Sequence, residues 1–279
     1  MFLGLLSALA WGTGDFIAKE AVDRIGPYKT LFYMFLVGTV ILGFMTLISI
    51  GKTPSISLEL FLLNMISAVL CILGYFFLYY GFQIGKLSVV STITAGGTIV
   101  PVLFSLYFLK EWPTGPQFVG IGLIIAGVVL VSMKGHSSNL TKPRILGVFP
   151  ALLSSLFFGS YVILVKIVSQ KTGPLLPVFF VRGMGVILTG SLLVYRKETA
   201  YPPREVWKYL LATGFLDALA FLAFTSGINK ALVAIVSPLS SMFTLVTVTL
   251  AHFVLKERLE TRQKWGFWTV LFGVLALSL

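Results

Sequence analysis

Two aspartates stand inside long apolar stretches: Asp15 in LAWGTGDFIAKEAV (residues 9–22) and Asp217 in YLLATGFLDALAFLAF (residues 209–224). A carboxylate at the centre of a membrane helix costs about 2.5 to 3.5 kcal/mol and normally faces a partner or a wet cavity. Asp15 is therefore expected to look inward, either as a proton or cation site that couples transport or as a structural acceptor for neighbouring helices. Asp217 poses the same choice. Arg182 lies about seven residues into its own apolar stretch, roughly 10 Å from the end at which that stretch starts. Antiparallel neighbours could bring Arg182 to Asp217 as a charge pair, or leave its guanidinium fork to bind a carboxylate or phosphate.

The elements that must carry these charges are membrane spans. Hydrophobic residues make up 57% of the 279 residues and charged ones 11%, with a mean hydropathy of +0.97. That is more apolar surface than one soluble core could hide. A helical span takes about 20 mainly apolar residues, and such stretches centre near Leu9, Val40, Leu70, Ile99, Ile125, Phe157, Ile187, Leu219, Val246 and Leu271. The expected fold class is an all-α integral membrane protein of about ten transmembrane helices, located in the cell membrane. Cys71 is the only cysteine, which excludes an internal disulfide.

The chain also contains itself twice. Residues 6–27 fall on residues 153–174, so that Leu6, Ser7, Leu9, Gly12, Lys19, Gly26 and Pro27 meet Leu153, Ser154, Leu156, Gly159, Lys166, Gly173 and Pro174. Nearly the same offset brings Gly81 onto Gly227, Ser91 onto Ser237, Lys110-Glu111 onto Lys256-Glu257, Gly120 onto Gly266 and Gly127 onto Gly273. The expected organisation is a five-helix repeat over 1–135, a linker at 136–143 and a second repeat over 144–279. Five is an odd number, so the second copy enters the membrane from the opposite side and the repeats are inverted. Inverted repeats suit alternating access to a site near the midplane.

AWGTGDFIAK opening the first half, FFGSYVILVK opening the second, and LKEW and LKERLE after the fourth and ninth spans resemble the EamA branch of the drug/metabolite transporter superfamily. The resemblance covers nearly the whole chain. It extends to an arginine in the second span of each half, matched by Arg182 in the second half, whereas Phe35 stands there in the first. It implies a carrier for small metabolites such as amino acids, sugars, nucleotide sugars or amphipathic drugs. It also implies cytoplasmic termini. The loop lysines and arginines favour the opposite face, which by the positive-inside rule places the termini outside.

On a helical wheel of the first span, Gly4, Ser7, Ala8, Trp11, Gly14, Asp15 and Ala18 share one side, and Phe2, Leu5, Leu6, Leu9, Phe16 and Ile17 the other. Small residues on such a face let another backbone approach, but a ring and a carboxylate among them call for a cavity. The fourth and ninth spans, STITAGGTIVP (91–101) and SPLSSMFTLVTVT (237–249), concentrate hydroxyls, glycine and proline at matched places. Matched interruptions point to a carrier's site. The expected substrate-binding residues are Trp11, Asp15, Tyr75, Thr94, Thr98, Phe158, Tyr161, Asp217, Ser240, Ser241 and Thr244, with Arg182 as charge pair or anion contact. Such a pocket fits an uncharged or zwitterionic small molecule, amino-acid-like among others, with export considered as its direction. Lys19 and Lys166, near the ends of their spans, are expected to snorkel to the interface.

An enzyme reading is open as well. Gly12-Thr13-Gly14-Asp15 spells the GxGD motif of intramembrane aspartyl proteases, and Asp217 would be the second carboxylate of a proton-sharing pair. No metal-hydrolase, serine-hydrolase or nucleotide-binding motif occurs, so neither a cofactor nor ATP-driven pumping is expected. The excess of 21 basic over 10 acidic residues points to lipid head groups as partners, not nucleic acid. The remaining expected partners are a small-molecule substrate and a coupling proton or cation.

Overall fold

The computed structural model describes residues 1–49, 57–132, 147–198, 201–254 and 261–277; the expected linker at 136–143 lies outside them. The helices run in the order α1 (Phe2–Ile48), α2 (Leu58–Ile84), α3 (Leu87–Ala95), α4 (Ile99–Tyr107), α5 (Gly115–Ser132), α6 (Val148–Thr172), α7 (Leu175–Tyr195), α8 (Trp207–Lys230), α9 (Val233–Ser241), α10 (Phe243–Val254) and α11 (Thr261–Leu277). No strand occurs among the described residues. The helices α3 and α4 are one span interrupted by a 3-10 turn at Gly96–Thr98, and α9 and α10 are one span broken at Met242.

Helix α1 is two spans joined by an elbow. Gly26 sits at φ 79° and ψ 168°, inside the left-handed region that glycine adopts without strain. Pro27 then restarts the helix, because its fixed φ and missing N–H suit a first helical position. Gly173, between α6 and α7, repeats the device at φ 80° and ψ 168°, followed by Pro174. One glycine-proline step thus turns the chain back at matched places in both halves.

The two copies interlock through their glycines, which lack a side chain where another backbone passes. A Cβ on Gly12 would meet Val246 and the Phe243 carbonyl, and a Cβ on Gly159 would meet Val100 and the Gly97 carbonyl, each at under 3.0 Å. These neighbours are the same positions of opposite repeats. Gly38 lies against Arg182 while Gly185 lies against Phe35, again a pair of images. Helices α5 and α11 pack with Gly127 on Gly266 and Val270, and Gly273 on Gly120 and Ile124. A helix that runs antiparallel to its own image requires a two-fold axis perpendicular to it. The repeats are therefore inverted.

Most of the outer surface is apolar, with Phe2, Leu9, Val40, Phe44, Leu152, Leu156, Phe215 and Phe272 exposed. The first span divides as the wheel requires: Gly4, Ser7, Ala8, Gly14, Asp15 and Ala18 are buried, on the side that packs against α8, α9 and α10. We predict that Gly12→Ala and Gly159→Ala each destabilise the fold by about 1 to 3 kcal/mol, through overpacking at a backbone crossing. Gly122→Ala, with nothing within 4 Å of the new methyl group, is expected to be neutral. Thermal melts of the three variants in detergent check the order.

Candidate functional site

A cavity opens where the interrupted spans face the middle of the first span of α1 and the middle of α6, with about 660 Å³ free of protein atoms, open solvent included. Its walls include Trp11, Asp15, Tyr75, Thr94, Thr98, Phe158, Tyr161, Ser240 and Ser241, nine residues singled out from the sequence. The 3-10 turn bends the fourth span so that Thr94 and Thr98 reach the cavity. Close packing requires the glycine in this turn, because a Cβ on Gly97 would strike the Ser155 backbone of α6.

Aromatic rings dominate the lining. Trp11 meets Phe221 edge-on at 4.7 Å between centroids and Phe224 at 5.4 Å. Tyr75 meets Phe158 at 4.9 Å, and Tyr161 meets Phe221 at 5.5 Å. The hydroxyls of Thr94, Thr98, Ser237 and Tyr161 are buried without a hydrogen-bond partner among the described residues. By contrast, Ser240 shares a 2.8 Å hydrogen bond with Ser7, and Ser241 donates to the Pro238 carbonyl at 2.7 Å. Asp15 is buried, and among the described residues no hydrogen bond or ion pair holds its carboxylate.

Three expected site residues lie behind the wall. Arg182 has no exposed surface and forms a 2.8 Å ion pair with Asp217. Asp217 also accepts a hydrogen bond from the Tyr75 hydroxyl. The guanidinium is further enclosed by the rings of Phe221, at 4.2 Å, and Phe35, at 5.6 Å. Asp217 thus supports Tyr75, which does line the cavity, and is engaged by Arg182 instead of sharing a proton with Asp15. Thr244 is turned aside as well. It is fully buried and donates to Thr92 at 3.0 Å, tying α10 to α3.

The sequence reading missed Phe221, Phe224, Ser237 and Phe243 on the wall. The signal for the first three was the repeat itself. At the repeat offset Tyr75 falls on Phe221, Leu78 on Phe224 and Ser91 on Ser237. The same mapping places Trp11 on Phe158 and Asp15 on Val162, and both members of these two pairs line the cavity. The walls are images of each other; the carboxylate is not. Lys166 also departs from expectation. It does not snorkel but is 4% exposed, with Glu111 as ion-pair partner at 3.7 Å. A carboxylate and a helix-end carbonyl held within its reach make the interior position tenable.

A model of the EamA-like transporter family matches residues 1–133 and again 145–279. The chain belongs to the EamA-like transporter family. This EamA-like protein is a multi-pass membrane transporter of the drug/metabolite type. It is 26% identical over 280 residues to the glucose uptake protein GlcU of Staphylococcus xylosus, covering 96% of this chain and 92% of that one. It is 24% identical over 281 residues to the uncharacterized transporter YetK of Bacillus subtilis, covering 98% and 85%. An uncharacterized protein of Methanocaldococcus jannaschii is 35% identical over 134 residues, which are 48% of this chain but 96% of that protein. A relative whose whole length answers to half of the EamA-like chain is what duplication of a five-helix unit leaves. A solved crystal structure shares the fold, with a TM-score of 0.77 at 14% identity over 99% of this chain and 94% of that one.

The Arg182–Asp217 pair gives the first test of this site's construction. Removing one partner of a buried pair leaves the other charge unpaired, so Arg182→Met is expected to destabilise the EamA-like fold by about 3 to 5 kcal/mol. The double variant Arg182→Met with Asp217→Asn should recover a large part of that loss. Denaturation of both in detergent gives the comparison.

Proposed function

We propose that the protein is a secondary carrier for one neutral, polyhydroxylated solute of monosaccharide size, moved by alternating access across the cell membrane. The observation that carries this reading is the character of the cavity wall. Among the described residues Asp15 is the one formal charge on the lining, and the rest are aromatic rings, aliphatic groups and neutral hydroxyls. A carboxylate accepts hydrogen bonds from two hydroxyls at once. Aromatic faces cover the C–H face of a sugar ring, and free threonine, serine and tyrosine hydroxyls exchange donors and acceptors with the remainder.

Zwitterionic amino acids fit this wall less well. Their carboxylate would need a cation, and among the described residues no lysine, arginine or histidine lines the cavity. Arg182 is withdrawn behind Tyr75 and neutralised by Asp217. The names of the full-length staphylococcal relatives, glucose uptake proteins, support a sugar and support uptake over export. In this reading Asp15 is also the seat of a coupling proton or cation, since its charge is the one in the cavity that the protein itself leaves unmatched.

Purified protein in liposomes, assayed with labelled monosaccharides and amino acids with and without a pH gradient, tests the proposal. Monosaccharide uptake is expected, slowed about 10- to 100-fold in Asp15→Asn by the loss of charge-assisted hydrogen bonds. Preferential movement of amino acids, or undiminished uptake by Asp15→Asn, would overturn it.

A further inference from the structure

The repeated LKE motif is not used by the cavity, yet the structure gives its first copy a definite place. Lys110 has φ 52°, in the left-handed region that residues with a side chain seldom adopt. The turn directs Glu111 into the bundle, where its Oε2 accepts a 2.7 Å hydrogen bond from the Val233 N–H. That N–H opens α9, so a carboxylate from the first repeat sits at the positive end of a helix of the second. The other carboxylate oxygen lies 3.7 Å from Lys166 Nζ. Lys166 in turn donates to the Ile228 carbonyl in the last turn of α8, the negative end of that helix. Two opposite charges thus clamp the two sides of the Ala231–Leu232 turn.

The clamp acts on the cavity through a short lever. Ser237, Ser240 and Ser241 lie on α9, the first of them one helical turn beyond Val233. Counting passes from Met1, the clamp stands at the end of the bundle where the chain begins: α4, α6 and α8 finish there and α9 starts there. At the opposite end the repeat places Lys19 in the position of Lys166. Lys19 is paired with Asp23 of its own helix, with a side-chain exposure of 20% against 5% for Lys166. Identical positions of the two repeats thus differ between the two ends.

We propose that Glu111 and Lys166 are positioning residues of the transport cycle: they hold α9 against α6 and α8, closing the Met1 end of the cavity, and must separate before solute passes there. The proposal rests on the carrier reading but not on the identity of its solute. Its test accordingly uses no solute. In a Cys71→Ala background, Ala95→Cys places one thiol on the cavity wall. Its labelling by a membrane-impermeant maleimide is followed on the peptide containing residue 95, in vesicles that present either face.

With the clamp intact, labelling from the Met1 face is slow. In Glu111→Gln and in Lys166→Met it should rise about tenfold, the shift expected on losing a charge-assisted contact. Glu111→Cys with Lys166→Cys, joined by a reducible bis-thiosulfonate linker, should return the rate to the slow value, counted only on residue-95 peptides that carry no linker, and release it on reduction. This reversible closure does not depend on either single variant folding well. Unchanged Met1-face labelling in the single variants, or equal labelling of the linked and reduced protein, would overturn the proposal. A failure of monosaccharide transport with clamp-dependent labelling would instead count against the sugar alone.

Discussion

A guanidinium with no exposed surface, in a bundle ringed by hydrocarbon, must find its counter-charge inside the protein, and the centre of this molecule is arranged around that demand. Asp217 supplies the charge, Phe221 and Phe35 enclose the cation, and Tyr75 uses its hydroxyl to complete the carboxylate's hydrogen bonds. Each of these acts on the cavity. Tyr75 and Phe221 are wall residues at matched positions of the two repeats, so the ion pair holds both halves of the aromatic lining from behind. A buried pair is weak evidence for stability, since dehydrating both ions offsets much of their attraction. Its effect here is to fix orientation: Tyr75 has a single acceptor to point at, and its ring follows.

The fold was legible in the sequence because its two strongest constraints are written in residue type. Lipid demands long apolar helices, and close crossings of backbones demand glycine, so Gly12 and Gly159 or Gly127 and Gly273 reveal the duplication and mark where the copies touch. The faces of the first span were legible for the same reason, since bulk and smallness alternate with the helical period. Depth behind a wall was not. Asp217 and Phe221 are one turn apart on one face of α8, yet one lines the cavity and the other supports it; the difference is made by Arg182 and Tyr75, which come from other helices. Thr98 and Thr244 are images of each other, and only Thr98 reaches the cavity because Thr244 is engaged by Thr92. Lys166 read as an interfacial lysine since its partner Glu111 is distant in sequence. The repeat itself held more than was taken from it, for copying Tyr75 and Leu78 across would have named Phe221 and Phe224.

Symmetry in the walls and asymmetry in the charges have separate consequences. In the proposed cycle the two inverted copies, which pack through equivalent glycines, exchange shapes, each taking the other's, and the cavity changes the end it faces. Part of the wall has this symmetry, since Trp11 answers Phe158, Tyr75 answers Phe221 and Thr94 answers Ser240. Asp15 answers to Val162, Arg182 to Phe35 and Asp217 to Cys71, so the charges do not exchange. The charged residue of the wall, Asp15, thus comes from the first repeat and the buried cation, Arg182, from the second. Symmetry therefore does not oblige the two end states to be equal in energy. In the proposed cycle, a solute or ion shifts the balance between the two shapes by its differential affinity for them, and the unmatched Asp15 is the wall residue whose contacts have no image in the other repeat to compensate that difference.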